Sequence, residues 1–68
     1  MSQPDAERIL EDAPELMTVV EVARWLRVHQ RTVYRLVRQE DLPHVRVGRG
    51  LRFTRAEVEA WMRRRSEG

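Results

Sequence analysis

The stretch "RTVYRLVR", residues 31–38, indicates a short helix with two opposite faces. Val33, Leu36 and Val37 recur at helical spacing and therefore share one side of the helix. The other side carries three cations, Arg31, Arg35 and Arg38. Like charges at this spacing repel one another, so the pattern favours a polyanionic partner over a simply solvated surface.

A second helix is predicted just before this one. Thr18 and Glu21 form a capping box that starts it. Its buried stripe is predicted to be Val19, Val22, Ala23 and Leu26. The three-residue turn over residues 27–29, with His29 as the next N-cap, leads into a helix over residues 30–39. Two short helices joined in this way form the corner of a helix-turn-helix.

Residues 44–53, "HVRVGRGLRF", change from helical spacing to alternation. This pattern predicts a β-hairpin in which "GRG" makes the reversal and Arg49 occupies the tip. The outer face is predicted to hold Arg46 and Arg52. The inner face is predicted to hold Val45, Val47, Leu51 and Phe53.

A last helix is predicted to begin at a second capping box, Thr54 with Glu57. Its buried stripe is Val58, Trp61 and Met62. Two interpretations of the arginines at 63–65 remain open, favourable charge at a helix C-terminus or contact with phosphate. Two interpretations of Trp25 also remain open: it lies at the rim of the core, or it anchors an interface.

Composition excludes several classes of function. The 68-residue chain has no cysteine, and its only imidazoles are His29 and His44, so we expect no metal and no cofactor. No pair of carboxylates or nucleophile with a base occurs at usable spacing, so the prediction is a non-enzymatic protein. No apolar run is long enough for a membrane span, and we expect a cytoplasmic protein.

Charge divides the chain into parts. Residues 1–16 carry a net charge of −4 and form a predicted flexible arm, whereas residues 17–68 carry +6. A DNA-binding domain is predicted over residues 17–65 and a tail over 66–68. All thirteen basic residues are arginine. A GC-rich genome would produce that bias by itself, but arginine also suits bidentate contact with phosphate and guanine.

The motifs "TVYRLVRQEDLPHVRVGR" (32–49) and "EVEAW" (57–61) resemble the excisionase-family winged helix-turn-helix domain, which is related to the DNA-binding heads of MerR-like regulators. The resemblance spans about residues 16–63. It implies a mainly α fold with a small β-hairpin, a second helix in the major groove and a hairpin wing on adjacent backbone or minor groove. This family usually has glycine where Arg27 stands and serine or threonine where His29 stands. We therefore expect Arg27 in a left-handed conformation at a cost of about 1 kcal/mol.

These observations predict a sequence-specific protein that binds double-stranded DNA. The resemblance favours an excisionase, a recombination directionality factor that bends attachment-site DNA beside an integrase. The alternative is a small MerR-like transcriptional regulator acting on RNA polymerase, and an antitoxin or anti-repressor that uses its acidic arm also stays open. We expect cooperative self-association on DNA. The predicted contacts are Arg31, Thr32, Tyr34, Arg35 and Arg38 on the helix and Arg46, Arg49 and Arg52 on the hairpin.

Overall fold

The structure is a computed structural model that describes residues 15–67. It confirms the predicted winged helix-turn-helix, with one strand more than a hairpin. The strand order is β1-β3-β2, and β3 pairs antiparallel with both neighbours. The acidic arm up to residue 14 and Gly68 at the end of the tail lie outside the described residues, so the domain boundaries stay predictions. The elements are β1 (Leu16–Thr18), α1 (Val19–Leu26), α2 (Gln30–Gln39), β2 (Val45–Val47), β3 (Gly50–Thr54) and α3 (Arg55–Glu67).

One apolar core joins the sheet to the helices. At its centre, Phe53 of β3 is 1% exposed, and one valine from each helix is fully buried. Burial of such a side chain stabilises the fold by about 1.5–3 kcal/mol. The buried set is Met17, Val19, Val22, Ala23, Val33, Leu42, Leu51, Phe53, Val58 and Trp61.

The predicted capping box starts α1. Oγ1 of Thr18 accepts a hydrogen bond from the Glu21 amide at 3.2 Å, and the Glu21 carboxylate accepts one from the Thr18 amide at 2.8 Å. Both bonds satisfy amides that have no partner inside the helix. Three of the four predicted stripe residues are buried, and Leu26 is half-buried.

The turn between α1 and α2 has the predicted left-handed residue. Arg27 has φ 60° and ψ 47°, and its amide donates to the carbonyls of Ala23 and Arg24. His29 then caps α2, because its Nδ1 accepts a hydrogen bond from the Arg31 amide at 3.1 Å. An imidazole thus takes the place of the usual hydroxyl cap.

The helix α2 ends at Gln39, as predicted, and a residue in the left-handed conformation follows it shortly after. The amides of Glu40 and Leu42 both donate to the Leu36 carbonyl, at 2.9 and 3.2 Å. Asp41 between them has φ 59°. This arrangement satisfies a carbonyl of the last turn and buries Leu42.

The wing hairpin turns over two residues, fewer than the predicted "GRG" reversal. Val47 stands opposite Gly50, so Gly48 and Arg49 form the turn. Gly48 has φ 59°, in the left-handed region that glycine enters without steric cost. With three turn residues Val47 would have faced Leu51, so the shorter turn shifts the pairing of β2 with β3 by one residue.

This register makes the predicted inner face wrong on β2. Val45 stands opposite Arg52, and residues directly opposite share a face of an antiparallel sheet. Val45 and Val47 are therefore on the outer face, 47% and 48% exposed, whereas Leu51 is buried as predicted. Arg46 stands opposite Leu51, so the expectation that Arg46 and Arg52 share one face is also wrong.

The strand β1 was not predicted. It pairs with β3 so that Met17 stands opposite Phe53, and both side chains are buried. At three residues the strand is too short to show alternation in the sequence, and it begins at Leu16, within the stretch assigned to the arm. Its pairing ties the start of α1 to the wing.

The helix α3 follows β3 without a loop. The Glu57 amide donates to Oγ1 of Thr54 at 3.3 Å, and that hydroxyl donates to the Glu57 carboxylate at 2.9 Å. The carboxylate thus contacts the hydroxyl instead of the Thr54 amide that the predicted capping box requires, and Thr54 is itself still part of β3. Val58 and Trp61 are buried, as predicted, whereas Met62 is only half-buried.

Candidate nucleic-acid interface

The outward face of α2 is basic. Val33 is fully buried and anchors the opposite face against the core. Along the exposed side, Tyr34 is 43% exposed and Thr32 is half-buried beside it. The three predicted cations of this face are all exposed, Arg31, Arg35 and Arg38.

No acidic side chain neutralises this face among the side chains described, residues 15–66. In that range the one ion pair joins Arg65 to Glu40, and the first turn of α2 holds no acidic residue. Arg31, Arg35 and Arg38 thus face solvent without an acidic partner among those residues. Such a face attracts phosphate, and its guanidinium groups have the donor geometry that guanine and phosphate accept.

The wing tip presents a second basic group. Arg49 is exposed at the turn, next to Gly48, and Arg46 is exposed on β2. A narrow tip with one arginine and no bulky neighbour is able to approach a nucleic-acid backbone or enter a minor groove.

Arg52 differs from the other predicted contacts because its guanidinium is already engaged. The side chain is half-buried, and Nη1 donates to the Leu51 carbonyl at 2.8 Å. A Cβ at Gly50 would lie 2.7 Å from that nitrogen, so the absent side chain leaves the space that Arg52 occupies. This bond uses one of the five guanidinium N–H donors, so Arg52 is able to donate to a second partner from the same position.

Trp25 lies at the rim of the core beside a shallow groove. The ring is half-buried, and the guanidinium carbon of Arg55 lies 4.5 Å from its centroid. This contact fits the interpretation of Trp25 as a rim residue. The groove has a volume of about 560 Å³ and is lined by Glu15, Met17, Glu21, Arg24, Trp25, Arg55, Ala56 and Glu59.

A set of contacts at the end of α2 was not predicted from the sequence. Trp61 and Arg65, both on α3, contact Glu40 directly after the helix. The motif "EVEAW" contains Trp61, but alternation and helical spacing predict only burial of its ring. Nothing in a single sequence indicates which carbonyl its indole nitrogen reaches.

The described part of the chain offers no candidate for a metal site or for a membrane-spanning helix. Among the side chains of residues 15–66, no group of three or more His, Asp or Glu residues is arranged to hold a metal ion. The helices in that range are also too short or too polar to cross a bilayer.

A family model described as a helix-turn-helix domain matches residues 16–66. The chain belongs to the helix-turn-helix domain family. The match starts at the first residue of β1 and extends through the wing into α3, so it covers the basic face of α2 and the wing tip together.

Two curated relatives from Mycobacterium tuberculosis are similar to this helix-turn-helix domain. They are "Putative DNA-binding protein MT0521" of strain CDC 1551 / Oshkosh and "Putative DNA-binding protein Rv0500A" of strain ATCC 25618 / H37Rv. Each is 58% identical over 38 residues, which are 56% of this chain and 49% of the relative. The match thus spans about half the length of these relatives. No solved structure matches the chain.

Proposed function

We propose that this helix-turn-helix domain is a sequence-specific, non-enzymatic DNA-binding protein, with α2 in the major groove and the wing on the adjacent backbone or minor groove. The observation that carries the proposal is the exposed arginine face of α2, which has no acidic partner among the described side chains of residues 15–66. The proposed contacts are Arg31, Thr32, Tyr34 and Arg35, with Arg38, on α2 and Arg46, Arg49 and Arg52 on the wing.

The geometry of α2 suits this role. A ten-residue helix is about 15 Å long, and the major groove is about 12 Å wide, so the helix spans only a few base pairs. Arg31 and Arg35 lie one turn apart on the exposed side, where guanidinium groups donate to guanine O6 and N7. The hydroxyl of Tyr34 lies on the same exposed side and suits a phosphate oxygen.

The names of the two relatives support DNA as the partner of this chain, and the names are all that the relatives contribute. Both names refer to DNA binding, and each match covers 56% of this chain. Because it covers only 49% of each relative, the biological role is a separate proposal.

For that role we favour an excisionase that binds and bends attachment-site DNA, with an integrase as partner. The support is the resemblance of "TVYRLVRQEDLPHVRVGR" (32–49) to excisionase-family domains. A MerR-like transcriptional regulator acting on RNA polymerase is the alternative, because the same wing and recognition helix serve on a promoter. Cooperative self-association on DNA and a cytoplasmic, nucleoid-associated location stay predictions.

Selection of bound sites from a random pool of duplexes tests the DNA proposal. We expect an enriched site of a few base pairs per bound copy, and an affinity that falls steeply with salt. Absence of binding to any duplex at low salt would reject the proposal and favour an antitoxin or anti-repressor. Gel shifts with circularly permuted copies of the enriched site then measure bending, which an excisionase requires.

A further inference from the structure

The residue that follows α2 is held by α3 through two contacts, and a third contact joins the two α3 residues that make them. Nε1 of Trp61 donates a hydrogen bond to the Glu40 carbonyl at 2.9 Å, across 21 positions of sequence. Nη1 of Arg65 lies 3.0 Å from the Glu40 carboxylate. The guanidinium carbon of Arg65 also lies 4.7 Å from the centroid of the Trp61 ring. Together, Glu40, Trp61 and Arg65 form what we call the α2 clamp.

The hydrogen bond is the main contact of the α2 clamp. Trp61 is 7% exposed, so little water competes for its N–H, and the Glu40 carbonyl belongs to a helix end that lacks an internal partner. The ion pair is weaker, because the side chains of Arg65 and Glu40 are 48% and 41% exposed. Its contribution is to keep the Trp61 ring between Arg65 and the core.

The α2 clamp acts at the end of α2, beyond the residues that pack this helix on the core, which include the half-buried Leu36 and Val37. Val33 is the only fully buried residue of α2. The link from α2 to the wing is the five-residue segment 40–44, which includes the left-handed Asp41. In contrast, α3 continues directly from β3, the central strand of the sheet. A contact from α3 to Glu40 therefore ties the end of α2 to the strand that carries the wing.

We propose that Trp61 is a positioning residue for DNA recognition, which acts through Glu40 to fix the angle between α2 and the wing. This inference rests on the proposed function, since it requires α2 and Arg49 to contact one duplex together. With the angle fixed, both elements meet the duplex without further ordering. With the angle free, each binding event must first order the two elements, and affinity falls.

The test uses Trp61→Phe, which keeps an aromatic ring and removes the donor. Trp25→Phe is the matched control, because Trp25 also lies under an arginine but has no hydrogen bond among those found in residues 15–67. We expect Trp61→Phe to lower affinity for the selected site about tenfold and for random duplex less than about twofold. Trp25→Phe should change neither affinity.

A second expectation concerns the energetic coupling between Trp61 and Arg49 in DNA binding. If Trp61 aligns the wing with α2, Arg49→Ala should weaken specific binding less in the Trp61→Phe background than in the parent protein. Equal effects of Arg49→Ala in both backgrounds, or equal losses on specific and random DNA, would overturn the proposal.

Residual dipolar couplings of the free protein test the same inference without DNA. We expect the α2 and wing amides to fit one orientation in the parent and in Trp25→Phe, but not in Trp61→Phe. Should Trp61→Phe fail to fold, Arg65→Ala serves in its place, with a smaller change in the same direction. An unchanged orientation in the folded variant overturns the positioning role even if the protein binds DNA well. Absence of DNA binding by the parent rejects only the proposed function.

Discussion

The guanidinium of Arg52 lies across Gly50 in the wing. A methyl group at Gly50 would stand 2.7 Å from Nη1 of Arg52, the same atom that donates to the Leu51 carbonyl. Gly50 therefore provides space for a neighbouring side chain. Gly48, at the other side of Arg49, provides a left-handed φ of 59° and has no atom within 4 Å of the Cβ position.

The two wing glycines should therefore respond differently to alanine. Gly48→Ala should lower the free energy of unfolding by about 1–2 kcal/mol, because alanine is strained at positive φ. Gly50→Ala should change it by less than about 1 kcal/mol, since the displaced end of Arg52 is flexible and the unfolded chain loses entropy. Urea denaturation of the parent and of both variants measures these free energies of unfolding. Equal losses would show that the wing turn does not have the described register.

Arginine on the outward face of α2 should determine specific binding. Arg31→Ala or Arg35→Ala should each weaken binding to the selected site by about 1–3 kcal/mol and leave the melting temperature unchanged, because both side chains are exposed. Fluorescence anisotropy with labelled duplexes measures the affinity. Arg55→Ala is the charge-matched control, at the start of α3 beside Trp25. If either α2 variant binds as tightly as the parent, α2 is not the recognition helix.

Features of this interface that depend on residues close together in the sequence could be predicted, whereas contacts between residues far apart in the sequence could not. The bounds of α2 and the cap at His29 depend on neighbouring residues, and both were predicted. Which face of the sheet Val45 and Val47 occupy depends on whether the turn has two or three residues. The glycines in "GRG" permit both turn lengths, so the sequence does not decide between the two registers. The Trp61 contact with Glu40 spans 21 positions and depends on tertiary packing, which helical spacing does not encode.

Arg49 should contribute affinity without sequence preference. Arg49→Ala should weaken binding to many duplexes about equally and reduce the salt slope by about one unit, because one phosphate contact and its released counterion are lost. Affinities at several salt concentrations, on the selected site and on random duplex, give both slopes. A changed preference at a single base position would instead show that the tip reads a base.

Arg27 should be a site where glycine stabilises the fold. Its φ of 60° is strained for a residue with a Cβ, and the side chain is exposed, so Arg27→Gly should raise the free energy of unfolding by about 1 kcal/mol. For a domain of this size that corresponds to about 4–8 °C in melting temperature. Arg24→Gly, at an exposed helical position of α1, should lower stability by about 1 kcal/mol. A fall in stability for Arg27→Gly would mean that the Arg27 side chain makes a contact that stabilises the fold by more than the backbone strain costs.

Several copies should bind adjacent sites cooperatively. A single module of this kind buries roughly 600–1,000 Å² on DNA, which limits the affinity and specificity of one copy. The ten residues of α2 also read only a few base pairs. Binding to repeated sites in a row would raise affinity through contacts between neighbours, and a row of wings inserted along one duplex would bend it. We therefore expect a monomer in free solution and head-to-tail binding on DNA.

Sedimentation of the free protein and gel shifts on arrays of one, two and three selected sites measure this behaviour. Each added site in direct repeat should raise the affinity per site, whereas the same sites separated by half a helical turn should bind independently, because the copies then face opposite sides of the duplex. Arrays with inverted sites control for simple avidity. A stable free dimer that binds an inverted repeat, with no gain from further sites, would contradict head-to-tail assembly. That outcome would favour the transcriptional regulator over the excisionase, since a two-fold operator needs only one pair of recognition helices.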